Sequence, residues 1–157
     1  MDYGKASPQA FKAMLAVEHH VHGAVEKTLL NLLKLRASQI NGCAYCIDMH
    51  WKDARASGES EQRLYALNAW RESPFYTDRE RAVLEWTESL TLVATEHAGD
   101  EAFEKVRAHF NDTQLADITW AIAAINAWNR VGIGFRSTPG IYQPPAASPI
   151  PARTPSV

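Results

Sequence analysis

Apolar residues recur along most of this chain at the three- and four-residue spacing that turns one face of an α-helix toward a core. From Pro8, with Ser7 as N-cap, Phe11, Met14 and Leu15 mark a first helix ending near His22-Gly23. A second runs from about Ala24 to Gln39, and Leu29, Leu30, Leu32, Leu33 and Leu35 make its stripe wide enough for burial on more than one side. Asn41-Gly42 breaks the pattern, glycine being suited to a left-handed helix end. A third helix starts around Cys43 and continues to Ala56, with Ala44, Ile47, Trp51 and Ala54 inward and Lys52, Asp53 and Arg55 solvated. A shorter one spans Ser60 to Trp70. Thr77-Asp78-Arg79-Glu80 has the spacing of a capping box and opens a long helix to about Glu96. Asp100 caps a short helix through Phe110, and a last helix, apolar on nearly all sides, starts after Asn111-Asp112-Thr113 and runs to about Val131 or Phe135. Such a helix lies centrally in a core or at a subunit interface. Residues 1–7 read as a loose leader, and strand alternation of useful length is missing. The pattern predicts an all-α fold.

Composition divides the chain into a helical domain over 1–137 and a tail over 138–157. Most of the eight prolines fall in the tail, among Ala, Ser and Thr, which predicts flexible or extended chain. At 157 residues the protein is long enough for one domain with a substantial core. Lys and Arg total 16 against 18 for Asp and Glu, so no basic surface for nucleic acid is implied. The N-terminus lacks a signal-peptide pattern, and the most apolar stretch, Ile118 to Phe135, is interrupted by Asn126, Asn129 and Arg130. No membrane association and a cytoplasmic location are the expectation.

In a reducing compartment, two cysteines spaced Cys-x-x-Cys point to catalysis or metal binding more than to a structural staple. The pair is Cys43 and Cys46, with His50 four residues on. At about 100° per residue the three fall within about 60° of one another on a helix. Four chemistries fit. Both cysteines can be small core hydrophobes. Zinc would find three ligands and lacks a fourth, so no metal or other cofactor is expected. A cysteine hydrolase would draw its base from another element. Reversible dithiol chemistry needs a thiol of lowered pKa: the helix N-terminus favours Cys43, proximity to His50 favours Cys46, and the spacing leaves the choice open. The run Glu18-His19-His20-x-His22 lacks the i, i+4 histidine pair of a helical zinc site and reads as a polar helix end.

The run Leu33-Lys34-Leu35-Arg36-Ala37-Ser38-Gln39-Ile40-Asn41-Gly42-Cys43-Ala44-Tyr45-Cys46-Ile47-Asp48-Met49-His50 resembles the core signature of the alkylhydroperoxidase AhpD-like proteins of the carboxymuconolactone decarboxylase superfamily. The likeness continues through 60–65, 69–71, 75–82 and 121–130. It implies an all-helical subunit assembled as a homotrimer or homohexamer. It also implies thiol-dependent reduction of a small-molecule hydroperoxide, with Cys46 attacking the peroxide, Cys43 resolving it to a disulfide and His50 in the proton relay. Reductant would come from a thiol or a lipoylated protein. Two positions depart from the family pattern. Asn31 stands where the relay has a glutamate, and an amide orients a hydrogen bond without accepting a proton at neutral pH. Tyr45 stands where the founding type has a second histidine. The alternative within the same fold is a non-catalytic oligomeric scaffold or redox sensor.

Elsewhere, Trp51, Trp70, Trp86, Trp120 and Trp128 read as core or interface residues rather than a ligand cage. Arg36, Asn126 and Asn129 are candidates for a polar network near the cysteines, and Glu80, Glu85 and Glu88 for the missing carboxylate.

Overall fold

In the computed structural model, which describes residues 1–145, the described residues form nine α-helices and one 3-10 turn, with no strand among them. The helices are α1 (Tyr3–Ala6), α2 (Pro8–Ala24), α3 (Lys27–Asn41), α4 (Ala44–Ala56), α5 (Glu61–Ala66), α6 (Asp78–Thr91), α7 (Val93–Glu96), α8 (Asp100–Arg107) and α9 (Asp112–Gly134); the 3-10 turn is Leu67–Ala69. The all-α expectation holds. No helix among the described residues is long and apolar enough to cross a membrane.

Helix α3 is the axis of the bundle and packs against α4, α6 and α9. Its leucine stripe is as wide as the sequence implies. Leu29, Leu30 and Leu33 join Val83 and Trp86 of α6 and Ile118, Ile122 and Ile125 of α9 in one core. Leu32 and Leu35 face a second core with Ala54, Leu64, Leu67, Trp70 and Leu84. Burying both sides leaves little solvent-facing surface along the middle of α3, so Lys34 is satisfied inside and Arg36 largely so.

The helix ends follow local chemistry. Gly42 closes α3 at φ 68°, and the Cys43 N–H donates to the Ser38 carbonyl at 3.1 Å. Thr77 and Glu80 form the expected capping box. Asn111 forms another with Gln114, so α9 starts one residue after Asn111. The long helix expected to reach Glu96 breaks at Leu92 and resumes as the one-turn α7. The segment 1–7 is no loose leader: α1 is capped by Asp2, and Tyr3 packs on Phe11 and Phe135. Residues 138–145, in the expected tail, lie against α4. The Tyr142 hydroxyl donates to Asp53 at 2.7 Å, Lys52 donates to the Tyr142 carbonyl at 3.0 Å, and the Gly140 N–H donates to Asp48 at 3.0 Å. The rest of that tail, 146–157, lies outside the described residues.

Among the tryptophans, Trp70 and Trp86 are buried core, whereas Trp120 is 59% exposed on α9. Arg36 does not reach the cysteines. Its Nε donates to Glu88 at 2.7 Å, and Glu88 also accepts from the Trp70 indole at 2.7 Å and pairs with Arg71. Glu80 pairs with Arg63, and Glu85 with Lys105. These three glutamates are therefore structural partners of cations, and the expectation that one supplies the relay carboxylate is corrected.

Burial draws the Glu88 carboxyl pKa upward, but hydrogen bonds from Trp70, Arg71 and Arg36 outweigh it and hold the group below its ordinary range. Its contribution to stability is thus complete above the unfolded carboxyl pKa and is lost as pH falls through the lower folded value. Glu88→Ala strands the Arg36 guanidinium and is expected to cost about 3–5 kcal/mol in urea unfolding at neutral pH. The deficit relative to wild type should shrink at acid pH; a deficit independent of pH would contradict this ion-pair assignment.

Candidate active site

The site is built at the junction of α3, α4 and α9. Closing α3 with a left-handed glycine turns the chain sharply, so Cys43 sits in extended conformation as the N-cap of α4 rather than within it. Its Sγ accepts the Cys46 N–H at 3.3 Å, the role an oxygen plays at an ordinary cap. Cys46 lies in the first turn of α4 and His50 one turn further, on the same face. Both cysteines and His50 are buried, and the two sulfurs are joined as a disulfide with a Cα–Cα distance of 5.3 Å.

Gly132 of α9 closes the site from the other side. A Cβ there would stand 3.2 Å from the Cys43 sulfur and 3.4 Å from that of Cys46. Only a residue without a side chain lets the α9 backbone approach the sulfurs so closely without moving them. The approach is registered by a polar ladder beside it. Asn41, at the end of α3, donates to Asn126 at 3.0 Å and to Asn129 at 2.8 Å, and Asn129 donates to Ser38 at 3.0 Å. Asn126 and Asn129 thus do form the anticipated network, and its work is to lock α9 onto the end of α3.

One side of the disulfide opens onto a cavity of about 790 Å³. Cys46 lines it and Cys43 does not, so the two thiols differ in access although the sequence spacing treats them alike. His50, Asn31 and Tyr45 line it too, which brings together four of the five residues singled out in the sequence, with Cys43 behind the fourth. The remaining wall is largely apolar and aromatic, with Phe11, Leu15, Ile125 and Trp128, and Tyr142, Pro144 and Pro145 close one edge. Asp53, read as solvated, belongs to this wall and holds Tyr142.

His50 Nε2 is buried with no hydrogen-bond partner among the described residues. Burial, reinforced by the nearby Lys34 and His22, pushes its pKa down to about 3, which keeps the imidazole neutral and makes it a weak base until a negative charge forms beside it. The polar group opposite went unrecognised in the sequence. Lys34, only 2% exposed, forms an ion pair with Glu18 of α2 and lies 3.2 Å from His22 Nε2. Glu18 also accepts from the Trp128 indole at 3.2 Å and lies 3.1 Å from His22. Glu18 and His22, read as a polar helix end, therefore face the cavity, while His20 turns away to Asp117 at 2.8 Å. The signal was present: Lys34 is a cation flanked on both sides by buried leucines. Gly132 carried no signal, because only the packing of α9 against the cysteines gives it meaning. No group of three or more metal-ligating side chains converges among the described residues.

Against known proteins, the chain is similar to an uncharacterized protein of Bacillus subtilis (strain 168), YdfG, at 42% identity over 136 residues, covering 86% of this chain and 92% of that one. Its fold superposes on a crystal structure from Agrobacterium tumefaciens, ATU0492, a protein of unknown function described as a candidate antioxidant defence protein AhpD. The TM-score is 0.87 at 50% identity, over 90% of this chain and 98% of the other. More distantly, the debrominase Bmp8 shares the fold, with a TM-score of 0.74 at 18% identity over 87% of this chain and 74% of that one. The sequence model of the carboxymuconolactone decarboxylase family matches residues 7–89, and with these relatives it establishes that the chain belongs to that family as an AhpD-like member.

Proposed function

We propose that this protein is a thiol-dependent peroxidase that reduces hydroperoxides through Cys43 and Cys46, with His50 moving the proton. The observation that carries the reading is the unequal access of two bonded sulfurs: Cys46 faces a roomy, largely apolar cavity beside a neutral, unpartnered imidazole, and Cys43 lies behind it. Shared fold alone does not choose this chemistry, since the same frame supports a debrominase.

In the reduced protein, the Cys46 thiol gives its proton to His50, and the resulting thiolate is favoured by the first-turn N–H groups of α4. A thiolate beside His50 in turn favours the imidazolium, so acid and base strengthen each other as the proton moves. The thiolate attacks the distal peroxide oxygen; an S–O bond forms as the O–O bond breaks, leaving a sulfenic acid on Cys46 and releasing an alcohol. Cys43 then attacks the Cys46 sulfur and displaces water, closing the disulfide. A thiol or a lipoylated protein returns the pair to dithiol in a cytoplasmic setting. Asn31 and Tyr45 line the substrate space without taking the proton. The subunits assemble as a homotrimer or homohexamer, for which exposed apolar residues such as Trp120 and Ile133 supply contact surface.

Intact-mass analysis after one equivalent of cumene hydroperoxide is expected to show loss of two hydrogens and both thiols. Cys43→Ser should stop at a dimedone-reactive sulfenic acid on Cys46. Unchanged peroxide consumption by Cys46→Ser would end the peroxidase reading and leave the scaffold or redox-sensor alternative. Gly132→Val is expected to lower stability by about 1–3 kcal/mol through overpacking against the sulfurs, and to slow disulfide closure by about tenfold or more. Gly134→Val, where an added Cβ meets nothing within 4 Å, serves as the control and should close normally. Size-exclusion of a Cys43→Ser, Cys46→Ser double variant should give the same oligomer as wild type; a monomer peak would make the cysteines structural.

A further inference from the structure

Resting on the peroxidase reading, we propose that Lys34 is the general acid of the reaction, held in place by Glu18, and that it protonates the oxygen released when the peroxide bond breaks. Cleavage of an alkyl hydroperoxide expels an alkoxide, a poor leaving group unless a proton meets it. His50 is committed to taking the thiol proton, and the Asn31 amide has no proton to give at neutral pH. Around the cavity the acidic and basic groups are Glu18 and His22 from α2, Lys27 and Lys34 from α3, His50, Asp53 and Tyr45 from α4, Tyr3 from α1 and Tyr142 beyond α9. Of these, Lys34 combines near-complete burial with a place in the lining of the same cavity as Cys46 and His50.

Stability does not account for this lysine. Replacing a buried ion pair by apolar residues of similar volume is often neutral or stabilising, and most of the buried neighbours of Lys34 on α3 are leucines. What the pair supplies is an ammonium fixed on the cavity wall. Glu18 is itself fixed by Trp128 and flanked by His22, so its carboxylate holds Lys34 from the α2 side while Asn31, one turn earlier on α3, shares the same wall. Burial pushes the ammonium pKa down to about 8, with Asp53 opposing, which leaves the group protonated at neutral pH but readier to release its proton than an exposed lysine. A base kept neutral and an acid kept charged in one cavity is the division of labour a two-proton step requires.

The step balances. Cys46 thiolate supplies the electron pair to the distal oxygen and is oxidised to the sulfenic acid; the O–O pair leaves with the alkoxide, which takes the Lys34 proton and departs as alcohol. The imidazolium of His50 then returns its proton to the Lys34 amine across the cavity, and both groups are restored for the next turnover.

The leaving group tests the assignment. Pre-reduced full-length protein is mixed at pH 7 with tert-butyl hydroperoxide, which must release an alkoxide, or with peracetic acid, which releases acetate and needs no proton. Disulfide formation is followed in a single turnover. Lys34→Met, and the charge-balanced Glu18→Gln, Lys34→Met double variant, are expected to lose about 100-fold with the hydroperoxide and less than about threefold with the peracid. Glu18→Gln alone, which loosens Lys34 without removing it, should lose less than either, again with the hydroperoxide only. In wild type the hydroperoxide rate should fall as pH rises through about 8, and this limb stands as a test independent of how the variants fold. Equal slowing with both oxidants, no slowing with either, or a wild-type rate that climbs steadily past that pH overturns the assignment. Wild type that closes no disulfide with either oxidant would instead overturn the peroxidase reading beneath it.

Discussion

Burial of the middle of α3, from Leu29 to Ser38, on two sides at once is the constraint on which the rest of this molecule depends. A helix packed on both sides must satisfy its polar residues internally, and the packed part of α3 carries two cations, Lys34 and Arg36, two positions apart. They point to opposite sides and recruit different helices. Arg36 meets Glu88, which also gathers Trp70 and Arg71 and so fastens α6 to the turn after α5. Lys34 meets Glu18, which gathers His22 and Trp128 and fastens α2 across the cavity. The first cluster holds the frame and the second lines the cavity that Cys46 also lines. A buried charge left unpaired costs several kcal/mol, so once present each cation requires its partner, although the leucines supply the packing itself.

The end of that helix matters as much as its sides. The left-handed turn at Gly42 swings the chain so that Cys43 caps α4 and Cys46 enters its first turn, which brings the sulfurs to bonding distance and presents only one to the cavity. Close approach of Gly132, held in register by the asparagine ladder from Asn41, then seals the sulfurs from the α9 side.

Much of this was readable in residue order. Wide leucine spacing announced a doubly buried α3, Thr77 to Glu80 announced a cap, and Gly42 announced a break, because each is a property of a few adjacent residues. The Leu92 break was not readable, since apolar spacing runs on past it. Nor was the docking of 138–145: a proline-rich stretch has no packing pattern of its own, and it is held here by single polar groups of α4, Asp48, Lys52 and Asp53. The glutamates proposed for the relay were misplaced for a related reason: a carboxylate on a helix is compatible with solvent, an arginine or a cavity, and only the neighbouring helix decides.

By itself, then, the order of residues determined that the chain is helical, where most helices begin and end, and that two cysteines and a histidine gather at the start of one of them, although Cys43 caps that helix instead of joining its face. Those are consequences of short-range backbone and side-chain chemistry, which acts within a turn or two. Tertiary structure alone decided which sulfur meets the cavity, that an added Cβ at position 132 would press on both sulfurs, and that a glutamate 16 residues away holds the buried lysine on the cavity wall. Those depend on how separate helices cross, and no local pattern encodes the partner that a buried charge will find.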